Sequence, residues 1–188
     1  FALVFGVVIF SGLYYRGILT FLPDLLGGTR ALSGFSFSGL ELEPSRYVYS
    51  GLLMVGIAGQ YVGGRLTEMV EVEKGVAVGY GTLGVVALAF IPALEASVGV
   101  LLLVSAVLGF FLFVVQPLYQ ATIAEYTPPD SRGVSYGYTY LGVFGIGALG
   151  AAVTGYVLTY YDSTTLFVVL ALFGGAASLP GVYLSVTE

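Results

Sequence analysis

The chain has 188 residues, of which 57% are hydrophobic and 9% charged; since a soluble domain carries roughly 25% charged residues, most of this surface is expected to face lipid. The sequence has no cysteine and no histidine, which excludes disulfides, thiolate or imidazole metal sites, haem ligation by histidine and the Ser-His or Cys-His pairs of hydrolases. We therefore expect that the protein is not an enzyme and that it binds no metal and no cofactor. The net charge of −5 disfavours nucleic acid as a partner.

Six apolar stretches follow one another along the chain, and polar segments separate them. Each stretch reaches the roughly 18 residues that a helix needs to cross about 30 Å of hydrocarbon. The sequence therefore predicts an all-α, polytopic membrane protein in which residues 1–188 form one six-helix transmembrane domain. The stretches are Phe1 to about Leu22, Tyr47 to Gly64, Val76 to about Ala93, Val98 to about Ala124, about Val134 to Tyr160, and about Thr165 to Leu184.

Basic residues in the connections give the predicted orientation. Arg65, Lys74 and Arg132 fall in the connections after the second and fourth helices, whereas Arg30 and Arg46 fall in the long connection after the first. Cytoplasmic loops carry the excess of basic residues. We therefore expect a multi-pass protein of the cell (plasma) membrane, with both ends of this chain in the cytoplasm.

Arg16 is the one charged residue well inside the first predicted helix. A charge at that depth is costly unless it faces water or a partner. One interpretation is that Arg16 faces a cavity and attracts an anionic group of a substrate. The other is that it reaches the outer interface, where the neighbouring Tyr14 and Tyr15 would also lie.

Polar side chains also occur within the fourth and fifth predicted helices. Gln116 and Gln120 are four residues apart and share a helix face, and Pro117 lies between them in the chain. They bond to a neighbouring helix or line a substrate path. Tyr136 and Tyr140 share a face of the fifth helix, where they form either an aromatic belt at the interface or the walls of a cavity.

Small residues recur at helical spacing in the second and fifth predicted helices. Gly59 and Gly63 are four apart, as are Gly147, Ala151 and Gly155. Such stripes let helix backbones approach closely in a membrane. We interpret them as helix-packing surfaces, which could also slide past one another during transport.

Charged residues cluster at the predicted cytoplasmic face. Arg65 and Glu68 follow the second helix, and Glu125 and Arg132 flank the connection after the fourth. They predict an ion-pair latch between loops. Exposed pairs of this kind contribute about 0–1 kcal/mol each, which biases a balanced conformational equilibrium but does not hold a fold.

These features together resemble the C-terminal half of a major facilitator superfamily transporter. The segment from Arg16 through Thr20-Phe21-Leu22-Pro23 looks like helix seven of that family, and the stretch from Gly59 to Glu68 resembles its second copy of a gating-loop motif. Glu68 stands where an aspartate is usual. Pro128-Pro129-Asp130-Ser131-Arg132-Gly133 and the Gly-rich helix after it look like the entry to helix eleven, without the proline of the fuller antiporter signature.

The resemblance implies secondary active transport of a small molecule by alternating access, including ion-coupled export with a proton or sodium ion as the coupling ion. The central cavity would form between this half and an N-terminal half that the chain lacks. The candidates for its lining are Arg16, Gln116, Gln120 and Tyr140. The gating-loop candidates are Gly59, Gly63, Arg65, Glu68, Glu125 and Arg132.

One alternative remains open at this point. The chain could be a self-contained six-helix membrane protein that acts as a homodimer or as an assembly partner. Its mark would be a native initiator methionine close to Phe1.

Overall fold

The computed structural model describes residues 2–30, 32 and 43–187, and these residues form helices and short connections without a strand. Two of the connections are very short, at 94–97 and 161–162, and they fold neighbouring helices back on each other. The helices are α1 (Ala2–Gly27), α2 (Pro44–Leu66), α3 (Val72–Ala93), α4 (Val98–Glu125), α5 (Arg132–Tyr140), α6 (Leu149–Tyr160) and α7 (Ser163–Thr187).

The fifth predicted helix is one rod with an irregular centre. Between α5 and α6 the chain forms a π-helical turn at Leu141–Gly145 and a 3-10 turn at Ile146–Ala148. Glycine lowers helix stability by roughly 0.5–1 kcal/mol relative to alanine, and four glycines fall within 142–150. The regular hydrogen-bond pattern therefore gives way here, while the rod continues from Pro129 to Tyr160.

The prediction of an all-helical membrane protein is confirmed for the part of the chain that the structure describes. Five segments are long and apolar enough to cross a membrane: α1, α3, α4, the rod from Pro129 to Tyr160, and α7. The predicted count of six is not confirmed by this measure. α2 has 23 residues, but its glycines, tyrosines and Gln60 make it less apolar than the others.

Glycine contacts give the relative direction of the packed helices. A Cβ at Gly12 would lie 2.9 Å from the Cα of Gly147, and one at Gly17 would lie 3.0 Å from Oγ1 of Thr154. These contacts advance together along α1 and the rod of α5 and α6, so the two run parallel. Cβ atoms at Gly174 and Gly181 would meet α3 in the opposite order, so α3 and α7 are antiparallel.

α2 and α4 also run parallel and approach each other closely. A methyl group at Gly109 would overlap the carbonyl oxygen of Leu52, and one at Gly63 would overlap the carbonyl oxygen of Val114. This parallel arrangement is expected when successive helices cross the membrane in alternating directions, because the second and fourth helices then run the same way. Packing at this distance replaces the hydrophobic effect as the force between helices in lipid.

Hydrogen bonds between buried hydroxyl groups tie α1 to α3. The Tyr14 hydroxyl donates to the carbonyl oxygen of Leu83 at 2.8 Å, and the Tyr80 hydroxyl donates to Oγ of Ser11 at 2.5 Å. All three of these polar side chains are buried. A polar group without a partner is costly in a bilayer, so these bonds fix the register of the two helices.

Asp162 caps the N-terminus of α7. Its Oδ1 accepts a hydrogen bond from the backbone N–H of Thr165 at 2.7 Å. This bond stabilises the carboxylate and lowers the pKa of Asp162 below its ordinary value, although the side chain is exposed.

Substitutions at the neighbouring glycines Gly63 and Gly64 distinguish the effect of helix packing on stability from the effect of helix propensity. We expect Gly63→Ala to destabilise the protein by about 1–3 kcal/mol, because its methyl group must displace the Val114 backbone. Gly64 faces open space, so Gly64→Ala is the matched control and should raise stability by roughly 0.5–1 kcal/mol. Thermal unfolding of the purified protein in detergent measures both, and equal effects of the two variants would contradict the close approach of α2 and α4.

The cap at Asp162 predicts a pH dependence of stability. Because folding lowers its pKa, the contribution of the carboxylate is present above the ordinary pKa of aspartate and is lost as the pH falls below about 4. We expect Asp162→Asn to keep the cap but to lose this pH dependence, and Asp162→Ala to be less stable at neutral pH. Unfolding temperatures of the three proteins between pH 7 and pH 3 test this, and parallel curves for wild type and Asp162→Asn would refute it.

Candidate functional site

A cavity of about 480 Å³ lies between α1, α4 and α5. This volume is in the range of small-molecule sites, which is roughly 300–1,000 Å³. Its side chains come from the middle of α1, from the second half of α4 and from the segment that leads into the π-helical turn. The lining residues are Ser11, Tyr15, Gln116, Tyr119, Gln120, Tyr136, Thr139, Tyr140, Val143 and Phe144.

The lining is aromatic and polar, and none of these side chains carries a charge at neutral pH. The structure brings three of the four predicted cavity residues, Gln116, Gln120 and Tyr140, into this one cavity. Tyr136 lines it as well, which favours the cavity interpretation of the tyrosine pair over an aromatic belt.

Arg16, the fourth predicted cavity residue, adjoins the cavity without lining it. Its guanidinium carbon lies 5.6 Å from the centroid of the Phe144 ring, and Phe144 is part of the cavity wall. Arg16 is exposed and lies near the middle of α1. An arginine at the centre of a membrane helix costs about 2.5–3.5 kcal/mol on insertion scales. A cation–π contact returns about 0.5–2 kcal/mol, so Arg16 is not fully compensated by Phe144.

Aromatic rings continue from the Arg16 contact along the cavity wall. The rings of Tyr140 and Phe144 stack with their centroids 5.8 Å apart and their planes inclined by 14°. Tyr15, which also lines the cavity, meets the ring of Phe113 edge to face at 6.2 Å. The lining presents broad apolar surfaces beside hydroxyl groups, a combination suited to a ligand that has a ring and polar substituents.

The four charged gating-loop candidates lie at three helix ends. Nη1 of Arg65 lies 3.9 Å from Oε2 of Glu68, so these two form an exposed pair at the end of α2. Glu125 is the last residue of α4, and Arg132 opens α5 with an exposed side chain. The latch between these loops stays a prediction.

The two gating-loop glycines lie in the α2–α4 interface. A methyl group at Gly59 would overlap the carbonyl oxygen of Phe110, as one at Gly63 would overlap that of Val114. In this structure both glycines therefore serve helix packing.

The π-helical turn changes which small residues of the rod face α1. Gly142, Gly147 and Gly150 are buried there, and a methyl group at Gly150 would overlap the carbonyl oxygen of Leu13. Of the predicted stripe, Gly147 packs against Gly12, Ala151 is half-buried, and a Cβ at Gly155 would lie 3.3 Å from Cζ of Phe21. The stripe was predicted at intervals of four, whereas the π turn gives the interval of five between Gly142 and Gly147.

Sequence reasoning missed six of the ten residues of the cavity wall. Five of the six are typical of ordinary helix packing, and Tyr15 was considered only as a residue of the outer interface. A usable signal was present, since Ser11 and Tyr15 are four residues apart and share a face of α1, the helix that also carries Arg16. The missed residues are Ser11, Tyr15, Tyr119, Thr139, Val143 and Phe144.

Comparison with protein families agrees with this arrangement. The model of the Major Facilitator Superfamily matches residues 2–188, which is nearly the whole chain. Comparison with curated proteins finds no match to the chain. The resemblance predicted from the sequence is thereby confirmed: this chain belongs to the major facilitator superfamily, whose members are membrane transporters.

Proposed function

We propose that the protein is a secondary active transporter that moves a small molecule through the cavity between α1, α4 and α5 by alternating access. The observation that carries this proposal is the cavity itself, a polar and aromatic space of about 480 Å³ within helices that are otherwise apolar. Export driven by a proton or sodium gradient is the form of transport that we propose, in the cell membrane.

We propose that α2 is the sixth membrane span. At about 1.5 Å per residue its 23 residues extend about 34 Å, enough to cross the hydrocarbon core. It packs parallel to α4, which is itself long and apolar enough to span the membrane. A helix that follows a membrane span so closely over several turns has to lie at the same depth in the bilayer.

A second six-helix half would complete the cavity. Tyr140 and Phe144 line the cavity but remain 63% and 54% exposed, so this wall is open. Large apolar side chains beside it on the same rod, including Leu141 and Leu149, are exposed too. A polar cavity that opens toward lipid is unfavourable. The proposal therefore places the missing N-terminal half against this face, with residues 1–188 as the C-terminal half.

Alternating access predicts that one cavity position is reachable from both sides of the membrane. We expect a single cysteine at Gln120 to react with an impermeant maleimide added to either side of sealed vesicles, because the cavity opens to each side in turn. The chain has no native cysteine that would interfere. Leu172→Cys is the control, since Leu172 is exposed on α7 away from the cavity and should react from neither side. Reaction of Gln120→Cys from only one side would refute alternating access.

The proposed orientation places Arg65 in the cytoplasm and Glu95 on the other side. In intact cells we expect an impermeant thiol reagent to label Glu95→Cys and not Arg65→Cys, and to label Arg65→Cys once the cells are made permeable. Both side chains are exposed at helix ends, so their intrinsic reactivity is comparable. Labelling of Arg65→Cys in intact cells would reverse the orientation.

A further inference from the structure

The charges on the helices that form the cavity are unevenly distributed. Within the described parts of α1, α4, α5 and α6 the charged residues are Arg16, Asp24, Glu125 and Arg132. Three of them lie at or near helix ends, and only Arg16 lies at the centre. Asp24 is eight residues further along α1, about 12 Å along the helix axis. Of these four charges, Arg16 follows the lining residue Tyr15 directly in the chain and contacts the lining residue Phe144.

The guanidinium of Arg16 lies where a bound molecule could replace its contact with Phe144. Its guanidinium lies over the Phe144 ring, which forms the cavity wall, and its side chain is exposed. A guanidinium binds a carboxylate through two parallel hydrogen bonds, which are stronger than a cation–π contact with one ring. The side chain of Arg16 is long and exposed, so the surrounding protein does not lock the guanidinium against this ring.

The rest of the cavity wall favours a flat ring over a flexible chain. The rings of Tyr140 and Phe144 stack with nearly parallel planes, and Tyr15 on α1 lines the same cavity. The amides of Gln116 and Gln120 lie on α4 and supply donors and acceptors for substituents of the ring. No acidic residue lies among the cavity-lining side chains of the described segments, so nothing there would repel an anion.

We propose that the substrates of this cavity are small aromatic carboxylates. The carboxylate pairs with Arg16, and the ring lies against the aromatic rings of Tyr140 and Phe144. This inference rests on the proposed transport function and adds the substrate class to it. Arg16 is then a residue that determines specificity for charge, while Phe144 contributes to binding of the ring.

The experiment measures binding of three probes to the protein at its natural length in lipid nanodiscs. The probes are radiolabelled 2-naphthoate, its neutral analogue 2-naphthalenemethanol, and cyclohexanecarboxylate, which has the charge but no aromatic ring. We expect 2-naphthoate to bind at least ten-fold more tightly than either of the others. This comparison uses the wild-type protein alone, so it does not depend on a variant that folds.

Two variants assign the preference to the residues. Arg16→Gln should weaken 2-naphthoate binding by at least ten-fold and leave 2-naphthalenemethanol unchanged, whereas Phe144→Leu should weaken both. Arg46→Gln removes an exposed arginine at the start of α2 and is the control that should change neither. Arg16→Lys should recover only part of the lost affinity, because lysine keeps the charge without the paired donors.

Equal binding of 2-naphthoate and its neutral analogue by the wild type would overturn the proposal, as would an anion preference that survives in Arg16→Gln. Absence of binding for all three probes would overturn it too. These failures are distinguishable from failure of the transport function, because labelling of Gln120→Cys from both sides of the membrane would still show alternating access.

Discussion

The close approach of helix backbones is the constraint on which the rest of this structure depends. In lipid the apolar side chains gain little from meeting one another, so the helices are held by packing and by a few buried hydrogen bonds. At Gly12 and Gly147 the backbones of α1 and of the rod come so near that a methyl group on either glycine would overlap the other helix. The same holds between α2 and α4 at Gly63 and Gly109. Glycine at these positions is what allows the bundle to close.

The glycines of the rod have a second consequence for the cavity. The glycine-rich segment that packs closely against α1 also contains the π-helical turn at Leu141–Gly145. π-helical turns are rare and occur often at functional sites. Here the turn carries Val143 and Phe144 into the cavity wall next to Tyr140, and it keeps Gly142 and Gly147 on the face toward α1. Packing and cavity therefore depend on the same irregularity.

Much of this architecture could be predicted from the sequence, because apolarity over 18 or more residues is a direct consequence of the bilayer thickness. Five of the six predicted helices meet that criterion, and only α2, rich in glycine, remained uncertain by composition. The family could be predicted too, from the order of Arg16, the Gly59–Glu68 stretch and the Pro128–Gly133 segment. The π-helical turn could not, because α2 is also rich in glycine and keeps regular helical hydrogen bonds, so glycine content alone does not distinguish the two cases.

The same distinction explains which site residues were found. Gln116 and Gln120 were recognisable because amides are out of place in a lipid-facing helix, whereas Phe144 and Tyr119 look like ordinary packing residues until their neighbours are known. Arg16 was recognised because a charge inside a membrane helix costs free energy. Its contact with Phe144 could not be recognised in this way, because it joins residues 128 positions apart in the chain. No pattern within one helix carries that information.

The open wall of the cavity connects packing with function. Hydroxyl groups elsewhere in the bundle, such as those of Tyr14 and Tyr80, are bonded to neighbouring helices and serve its cohesion. Tyr140 and Phe144 are instead largely exposed, beside a cation that the surrounding protein does not fully compensate. Lipid cannot solvate such a surface, so it has to meet water, a bound molecule or another protein surface at each stage. A surface that can meet these partners in turn is what the proposed alternating access would require of a cavity wall.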